Sequence, residues 1–168
     1  MPEKQTPLGQ AKKEASPQDK DKKDASPQGK EQKESAPQQQ RATLQFLVGW
    51  KQSQQGQIRP GVKLVVEFDP ARLPQCRQSS HGAQVWDIDV GMIFHPGGQR
   101  FDGSVMKKVR MPNNGPIVSL EPQPYEVTVP ADATHVEMWF HNYTTIGHGC
   151  EAWDSRYCQN YWFTVARG

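Results

Sequence analysis

Apolar and polar residues alternate with a period of two along most of the chain after residue 40. Successive side chains on a β-strand point to opposite faces, so such a segment can bury one set and leave the other on the surface. In the clearest segment, apolar residues alternate with polar residues and one indole: Val136, Met138 and Phe140 against His135, Glu137, Trp139 and His141. A second segment near the C-terminus places Trp162 opposite its apolar neighbours Tyr161 and Phe163 in the same way.

Segments of this kind recur about eight times, roughly 10–15 residues apart, and Gly and Pro residues separate them. No stretch has the period of an amphipathic helix. Regular short strands with such turns are typical of antiparallel sandwiches and barrels. Clean alternation favours sheets that pack on one face and meet water on the other. We therefore predict an all-β fold, a single antiparallel β-sandwich of about eight strands.

The first predicted strand covers residues 41–50 and has one apolar face: Leu44, Phe46, Val48 and Trp50. A turn is predicted to follow at residues 53–56. A later strand, VWDIDVGMIF, is predicted to bury Trp86 and its apolar partners and to leave Asp87 and Asp89 on the other side.

Residues 1–40 have a different composition. From residue 11 onward they repeat every ten residues, and each repeat joins a cluster of Lys and acidic residues to a Pro-Gln pair at Pro17, Pro27 or Pro37. The repeats contain no aromatic or branched apolar residue to offset the entropy lost on ordering. We predict that residues 1–40 form a disordered tail, either a spacer or a tether to an assembly, and that residues 41–168 form the sandwich domain.

Charge and hydropathy exclude several classes of partner. The formal net charge is only +2, so the chain lacks the basic surface typical of nucleic-acid binding. No apolar run approaches the roughly 20 residues of a membrane span. The N-terminal residues lack the apolar segment of a secretory signal, which makes the cytoplasm the default prediction for localisation.

The three cysteines leave several states open. Cys76–Cys150 would join two distant loops, Cys150–Cys158 would close a small one, and a reducing compartment would keep three thiols. Neither CxxC nor HxxxH spacing occurs, and no cofactor is predicted.

Catalytic signatures are also missing from the sequence. There is no GxSxG or P-loop motif. Asp87 and Asp89 have the i,i+2 spacing that a hydrolase pair would allow, but acids on the wet face of a strand are ordinarily solvated charges. We therefore predict that the protein is not an enzyme.

The aromatic residues of the last third are more informative. Trp139 and Trp162 lie on otherwise polar faces, and Tyr143, Trp153 and Tyr157 are near them in the chain. Flat rings stack on the apolar faces of sugars, and a few polar groups then bind the hydroxyls. The predicted contacts are two platforms and four polar partners: Trp139 and Trp162, with Glu137, His141, Asn160 and Asp154.

The segment AWDSRYCQNYWF resembles the closing strand of the starch-binding carbohydrate-binding modules of family twenty-one, which end in a WDNN-x-G-x-NY pattern on a β-sandwich. Trp153, Asp154, Asn160 and Tyr161 match that pattern, whereas Cys158 stands where glycine is usual. The resemblance covers about ten residues and implies a sandwich more than it implies starch binding.

The whole domain resembles a bacterial family of unknown function, number 6209. The features that carry this resemblance are FDPARLPQCR at residues 68–77, WDI at 86–88 and GCEAWDSRYCQNYWF at 149–163. The resemblance implies a stand-alone sandwich and supplies no catalytic residues.

Together these features predict a non-catalytic binding module whose ligand is a glycan or a protein surface. The alternative is a structural or protein-interaction component of a larger assembly, tethered by its tail, in which oligomers form through the same indoles.

Overall fold

The structure is a computed structural model and describes residues 41–110, 118–147 and 149–167. The predicted disordered tail, residues 1–40, lies outside the described residues.

Within the described ranges the chain forms thirteen β-strands, one 3₁₀ turn at Pro70–Arg72 and no α-helix. The strands are β1 (Arg41–Leu47), β2 (Lys51–Gln55), β3 (Lys63–Phe68), β4 (Ser79–Ser80), β5 (Ala83–Gln84), β6 (Trp86–His95), β7 (Gln99–Ser104), β8 (Met106–Arg110), β9 (Val118–Pro122), β10 (Tyr125–Thr128), β11 (His135–Thr144), β12 (Glu151–Asp154) and β13 (Tyr161–Thr164). The all-β prediction is confirmed. The count of about eight was too low because several strands have only two to four residues, too few to show a clear alternation.

Two sheets form the sandwich. One has four strands in the order β10-β3-β1-β2, and the other has five, with β12 and β13 both paired to β11, followed by β6 and β7. One pair departs from the antiparallel prediction, since β1 and β3 run parallel. After β1 the chain reverses and forms β2 as its hairpin partner. It then crosses over, so that β3 pairs with the opposite edge of β1. The pairs β4-β5 and β8-β9 are separate small sheets.

Aromatic rings from both sheets meet in the core. Phe46 of β1 contacts Phe140 of β11 at 4.6 Å between ring centroids, and Phe68 of β3 contacts Phe140 at 4.1 Å. Burial of such rings is the largest favourable contribution to a fold of this size. The alternating positions of β6 and β11 add further buried residues to this core: Ile88, Val90, Met92, Phe94, Val136 and Met138.

The first strand is shorter than predicted. It ends at Leu47, and the residues that were expected to continue its apolar face, Val48 and Trp50, are exposed in the turn before β2. Gly49 and Trp50 both have positive φ angles, 69° and 62°, which a continuing strand does not allow. The predicted turn at residues 53–56 mostly belongs to β2.

A buried charge cluster around Arg72 joins the two sheets. The Arg72 guanidinium donates through Nε to Asp154 Oδ2 at 2.8 Å and through Nη2 to Tyr161 Oη at 2.9 Å. Its Nη1 donates to the carbonyl oxygens of Leu47 and Lys51 at 2.9 and 2.8 Å. Arg72 therefore fixes the β1-β2 turn and the ends of β12 and β13 to one point.

A disulfide joins Cys76 to Cys150, with 5.3 Å between their Cα atoms and a sequence separation of 74. Of the cysteine states that the sequence leaves open, the structure contains the disulfide that joins two distant loops. Cys158 is a free, exposed thiol.

Candidate functional site

The candidate site lies on the outer face of the five-stranded sheet, along β11. The core-facing positions of this strand are buried, while Glu137, Trp139, His141 and Tyr143 alternate with them on the outer side. The face continues on β6 through Asp89 and Gly91, because these residues pair with His141 and Trp139.

Two short strands share the free edge of β11, and they leave a gap between them. β13 pairs with residues 135–138 of β11, and β12 pairs with residues 140–143. Trp139 falls between the two sets of pairs. The chain that connects β12 to β13, residues 155–160, leaves the sheet at this point, so a depression forms beside the Trp139 indole.

Five residues line this depression, which we call the indole cavity: Trp139, Trp153, Ser155, Cys158 and Asn160. Its volume is about 460 Å³, within the range of about 300–1,000 Å³ that is usual for small-molecule sites. None of the five is Asp, Glu, Lys, Arg or His. The walls therefore offer two indoles, a hydroxyl, a thiol and an amide.

Gly91 explains the orientation of Trp139. A Cβ atom added to Gly91 would meet the Trp139 ring at 2.5 Å, so the indole lies against the backbone of β6 in space that any other residue would occupy. The Arg100 guanidinium lies over the same ring at 5.5 Å from its centroid, and a two-bond pairing with Asp102 holds it there. Trp139 is thereby held as a rigid wall of the cavity.

Trp153 also lines the cavity and rests on His141. The two rings are stacked at 3.9 Å and an angle of 10°, and Tyr143 stacks on His141 at 5.1 Å. The Nε2 atom of His141 is buried without a hydrogen-bond partner among the described residues, 3.7 Å from Glu151 Oε2. His141, predicted as a polar contact, lies where it positions Trp153, which keeps 52% of its surface exposed.

Glu137 links two other residues that the sequence predicts as ligand contacts, Asn160 directly and Trp162 through His95. Its Oε1 accepts from Asn160 Nδ2 at 2.7 Å, and its Oε2 is 3.0 Å from His95 Nε2. The His95 ring in turn stacks on Trp162 at 5.0 Å between centroids. Both carboxylate oxygens are therefore engaged, and Glu137 holds Asn160 at the rim of the indole cavity and supports Trp162 beside it.

Asp154 does not reach this face. It follows Trp153 on β12, so its side chain points to the opposite side of the sheet, where it is 0% exposed and pairs with Arg72. A carboxylate buried in an ion pair is not accessible to a surface ligand. We therefore exclude Asp154 from the ligand contacts and assign it to the buried charge cluster.

Asp87 and Asp89 do share the outer face, as the alternation predicts. Asp87 Oδ1 accepts from Ser104 Oγ at 2.6 Å and from the backbone N–H of Ile88 at 2.8 Å. Partial burial raises the pKa of Asp89, and a hydrogen bond from Tyr143 opposes that shift. Neither acid lines the indole cavity.

The sequence pointed to Trp139, Glu137 and Asn160, which the structure brings together, but it did not place Trp153 and Ser155 with them. Trp153 joins the site because it pairs with His141, a register between two strands that no local pattern reveals. The resemblance to the WDNN pattern includes Trp153, but it concerns a closing strand and does not imply a cavity wall.

Two further findings concern the described residues as a whole. Among them, no group of three or more His, Cys, Asp or Glu side chains is placed to hold a metal ion. The same residues include no helix with the length and apolarity that crossing a membrane requires.

Comparison with known families gives one match. The profile of a family of unknown function, DUF6209, matches residues 28–166, and the chain therefore belongs to this family. No curated protein and no solved structure matches the chain.

Proposed function

We propose that this DUF6209 domain is a non-catalytic binding module that takes an uncharged sugar in the indole cavity. The observation that carries this proposal is a cavity with two indole walls, Trp139 and Trp153, and polar but uncharged groups at Ser155 and Asn160. Aromatic walls with a few placed polar groups are the usual composition of small-molecule sites. The apolar face of a sugar ring suits the indoles, and its hydroxyls suit the amide and the hydroxyl.

Preorganisation of the walls supports this proposal. Trp139 lies on Gly91, and Trp153 lies on His141. Glu137 accepts a hydrogen bond from the Asn160 NH₂ group, so the Asn160 side-chain oxygen is oriented to accept a bond from a ligand. Groups that are fixed before binding lose less conformational entropy when a ligand arrives.

The state of the nearby carboxylates favours binding over hydrolysis. A glycosidase requires one carboxyl group as an acid and another as a base or nucleophile, on either side of the bond that breaks. Both oxygens of Glu137 are already engaged, and Asp154 is buried against Arg72.

A glycan array probed with the full chain tests the proposal. We expect binding to neutral oligosaccharides that Trp153→Ala reduces at least tenfold and Trp153→Phe reduces less, since an aromatic face remains. Trp153 is half exposed on an edge strand, so its removal leaves the core intact. Circular dichroism and the thermal midpoint establish that each variant is folded.

The control is Trp50→Ala, which removes an equally exposed indole that does not line the indole cavity. A neutral glycan that binds the wild type and Trp153→Ala equally well would contradict the proposal. So would an array on which no neutral glycan binds.

The alternative, a protein-interaction component, also has support. Leu47 and Val48 are exposed at the β1-β2 turn next to Trp50, and exposed apolar residues beside an indole are typical of protein interfaces. Size-exclusion chromatography with light scattering distinguishes self-assembly from a monomeric binder. A concentration-dependent dimer that Val48→Asp disrupts would favour this alternative.

A further inference from the structure

A second cavity lies on the other side of the loop that borders the indole cavity. Its lining residues are Trp50, Gln52, Arg156, Tyr157 and Tyr161, and its volume is about 550 Å³. Within the loop of residues 155–160, Ser155, Cys158 and Asn160 line the indole cavity, whereas Arg156 and Tyr157 line the second one. The two cavities share no lining residue.

Two exposed rings form the mouth of this second cavity. The Trp50 and Tyr157 rings are nearly parallel, at 18°, with 6.4 Å between their centroids. Tyr157 nevertheless keeps 92% of its surface exposed, and Trp50 keeps 58%, so the stacking covers little of either ring. Tyr157 therefore offers most of its ring to a ligand, whereas the Trp50 ring is covered in part by the Arg72 guanidinium, 5.4 Å from its centroid.

The backbone holds these residues in an uncommon conformation. Trp50, Arg156 and Tyr157 have φ angles of 62°, 49° and 59°, in the left-handed region that side chains other than glycine rarely adopt. Each such residue costs on the order of 1 kcal/mol or more, and strain of this kind is concentrated at functional sites. At Trp50 the buried cluster offsets this cost, because Arg72 binds the carbonyl oxygens of Leu47 and Lys51 on either side of it.

The charge at this cavity differs from that at the indole cavity. Arg156 is exposed and makes no ion pair with any described residue, and no acid is among the lining residues. An unpaired guanidinium beside aromatic faces suits a carboxylate, which it can bind through two parallel hydrogen bonds. The Gln52 amide adds a neutral donor and acceptor at the same wall.

We propose that Trp50, Tyr157, Gln52 and Arg156 form a second ligand site, and that this site takes an acidic sugar, one that carries a carboxylate. The sugar ring lies against the two aromatic faces, and its carboxylate pairs with Arg156. This site is independent of the uncharged-sugar proposal, since it uses different side chains and a different charge.

The experiment uses the full chain and matched probes: trimers of galacturonate and of glucuronate, and the methyl esters of both. Isothermal titration at low salt measures the affinity, and each acid is compared with its ester in Trp153→Ala, where the site proposed for uncharged sugars is removed and cannot bind the ester. We expect the acids to bind at least tenfold more tightly than their esters, because esterification removes the charge that Arg156 recognises. Added salt should weaken only the acids.

Three variants locate the binding. Arg156→Gln should remove the preference for acid over ester, Arg156→Lys should restore part of it, and Tyr157→Ala should weaken acid and ester alike. Tyr157 is almost fully exposed, so its loss is not expected to disturb folding. Trp153→Ala is the matched control and should leave the affinity for the acids unchanged.

Failure of this proposal is distinguishable from failure of the first. Equal affinity for acids and esters, or an acid preference that survives Arg156→Gln, overturns the second site whatever the neutral glycans do. The absence of saturable binding by both acids overturns it as well. Loss of acid binding in Trp153→Ala would place the acid in the indole cavity and would also overturn it.

Discussion

Two carboxylates beside the loop of residues 155–160 show how one sheet separates stability from recognition. Asp154 lies on the inner side, where it pairs with Arg72 and accepts from Tyr161. Glu137 lies on the outer side, where it joins Asn160 and His95. Each accepts two side-chain bonds, but the first has no exposed surface and the second borders a cavity. Burial, rather than the number of bonds, therefore distinguishes a charge that holds the fold from one that arranges a site.

The largest effect is expected from Asp154→Asn, which keeps the shape of the side chain but leaves the Arg72 guanidinium buried without a counter-charge. Removal of one partner of a buried pair typically costs about 3–5 kcal/mol in the free energy of unfolding. Glu137→Gln makes the same chemical change on the outer side and should cost less than about 1 kcal/mol, as pairs near the surface do. Urea denaturation of both variants measures the difference.

Equal losses in the two variants would contradict this division of roles. A double variant, Arg72→Met with Asp154→Leu, sharpens it further. If the buried charges serve stability only through their pairing, replacing both by apolar groups should recover part of the loss.

An intermediate effect is expected at alkaline pH, where the two sides should behave alike. Burial, together with a neighbouring carboxylate, raises the pKa of two tyrosines from 10.0 to about 12: Tyr161 beside Asp154 on the inner side, and Tyr143 beside Asp89 on the outer side. A raised tyrosine pKa means that the folded state favours the neutral phenol. This contribution to stability is complete below pH 10 and is lost as the pH rises from about 10 to 12.

Denaturation midpoints measured at intervals between pH 9 and 12 check this prediction. Tyr161→Phe and Tyr143→Phe should each make the fall in stability across this range less steep, and the double variant should do so most. At neutral pH, Tyr161→Phe should also lower stability, since it deprives the buried Asp154 of a donor. A slope unchanged in both single variants would refute the assignment.

The smallest effect on stability, and one that is visible mainly in binding, is expected for Asn160→Gly, which removes the side chain and still allows the positive φ of 57° at this position. This change removes the amide at the rim of the indole cavity and frees one oxygen of Glu137. We expect little change in the thermal midpoint and a severalfold loss of affinity for a neutral glycan identified on the array. Thr164→Ala, on the same outer face but away from the cavity lining, is the control and should change neither quantity.

Glu137 and Asp154 also show which features of the site can be predicted from the sequence. A period of two was sufficient to predict that Trp139 and Glu137 share the outer face of β11, because side-chain direction on a strand is a local property. The prediction of Asp154 as a ligand contact is wrong. Asp154 follows the exposed Trp153 on β12, so its side chain points to the other face of the sheet. The strand there is only four residues long, and its alternation is hidden by the turn beside it.

Other features depend on contacts between distant parts of the chain. Arg72 and Asp154 are 82 residues apart in sequence, and nothing near Arg72 distinguishes it from a solvated arginine. The division of the β11 edge between β12 and β13 follows from register, which no local pattern encodes. The indole cavity exists only because of that division, so its second wall could not be read from the sequence.

The attachment of the loop of residues 155–160 has a consequence for evolution and for engineering. Its two stems are anchored separately along β11, and Tyr161 at one end donates a hydrogen bond to Asp154 at the other. We therefore expect substitutions or insertions between the stems to leave the register of both strands unchanged. The domain has the properties of a scaffold with one exchangeable recognition loop, on which new specificities can be selected at little cost to folding.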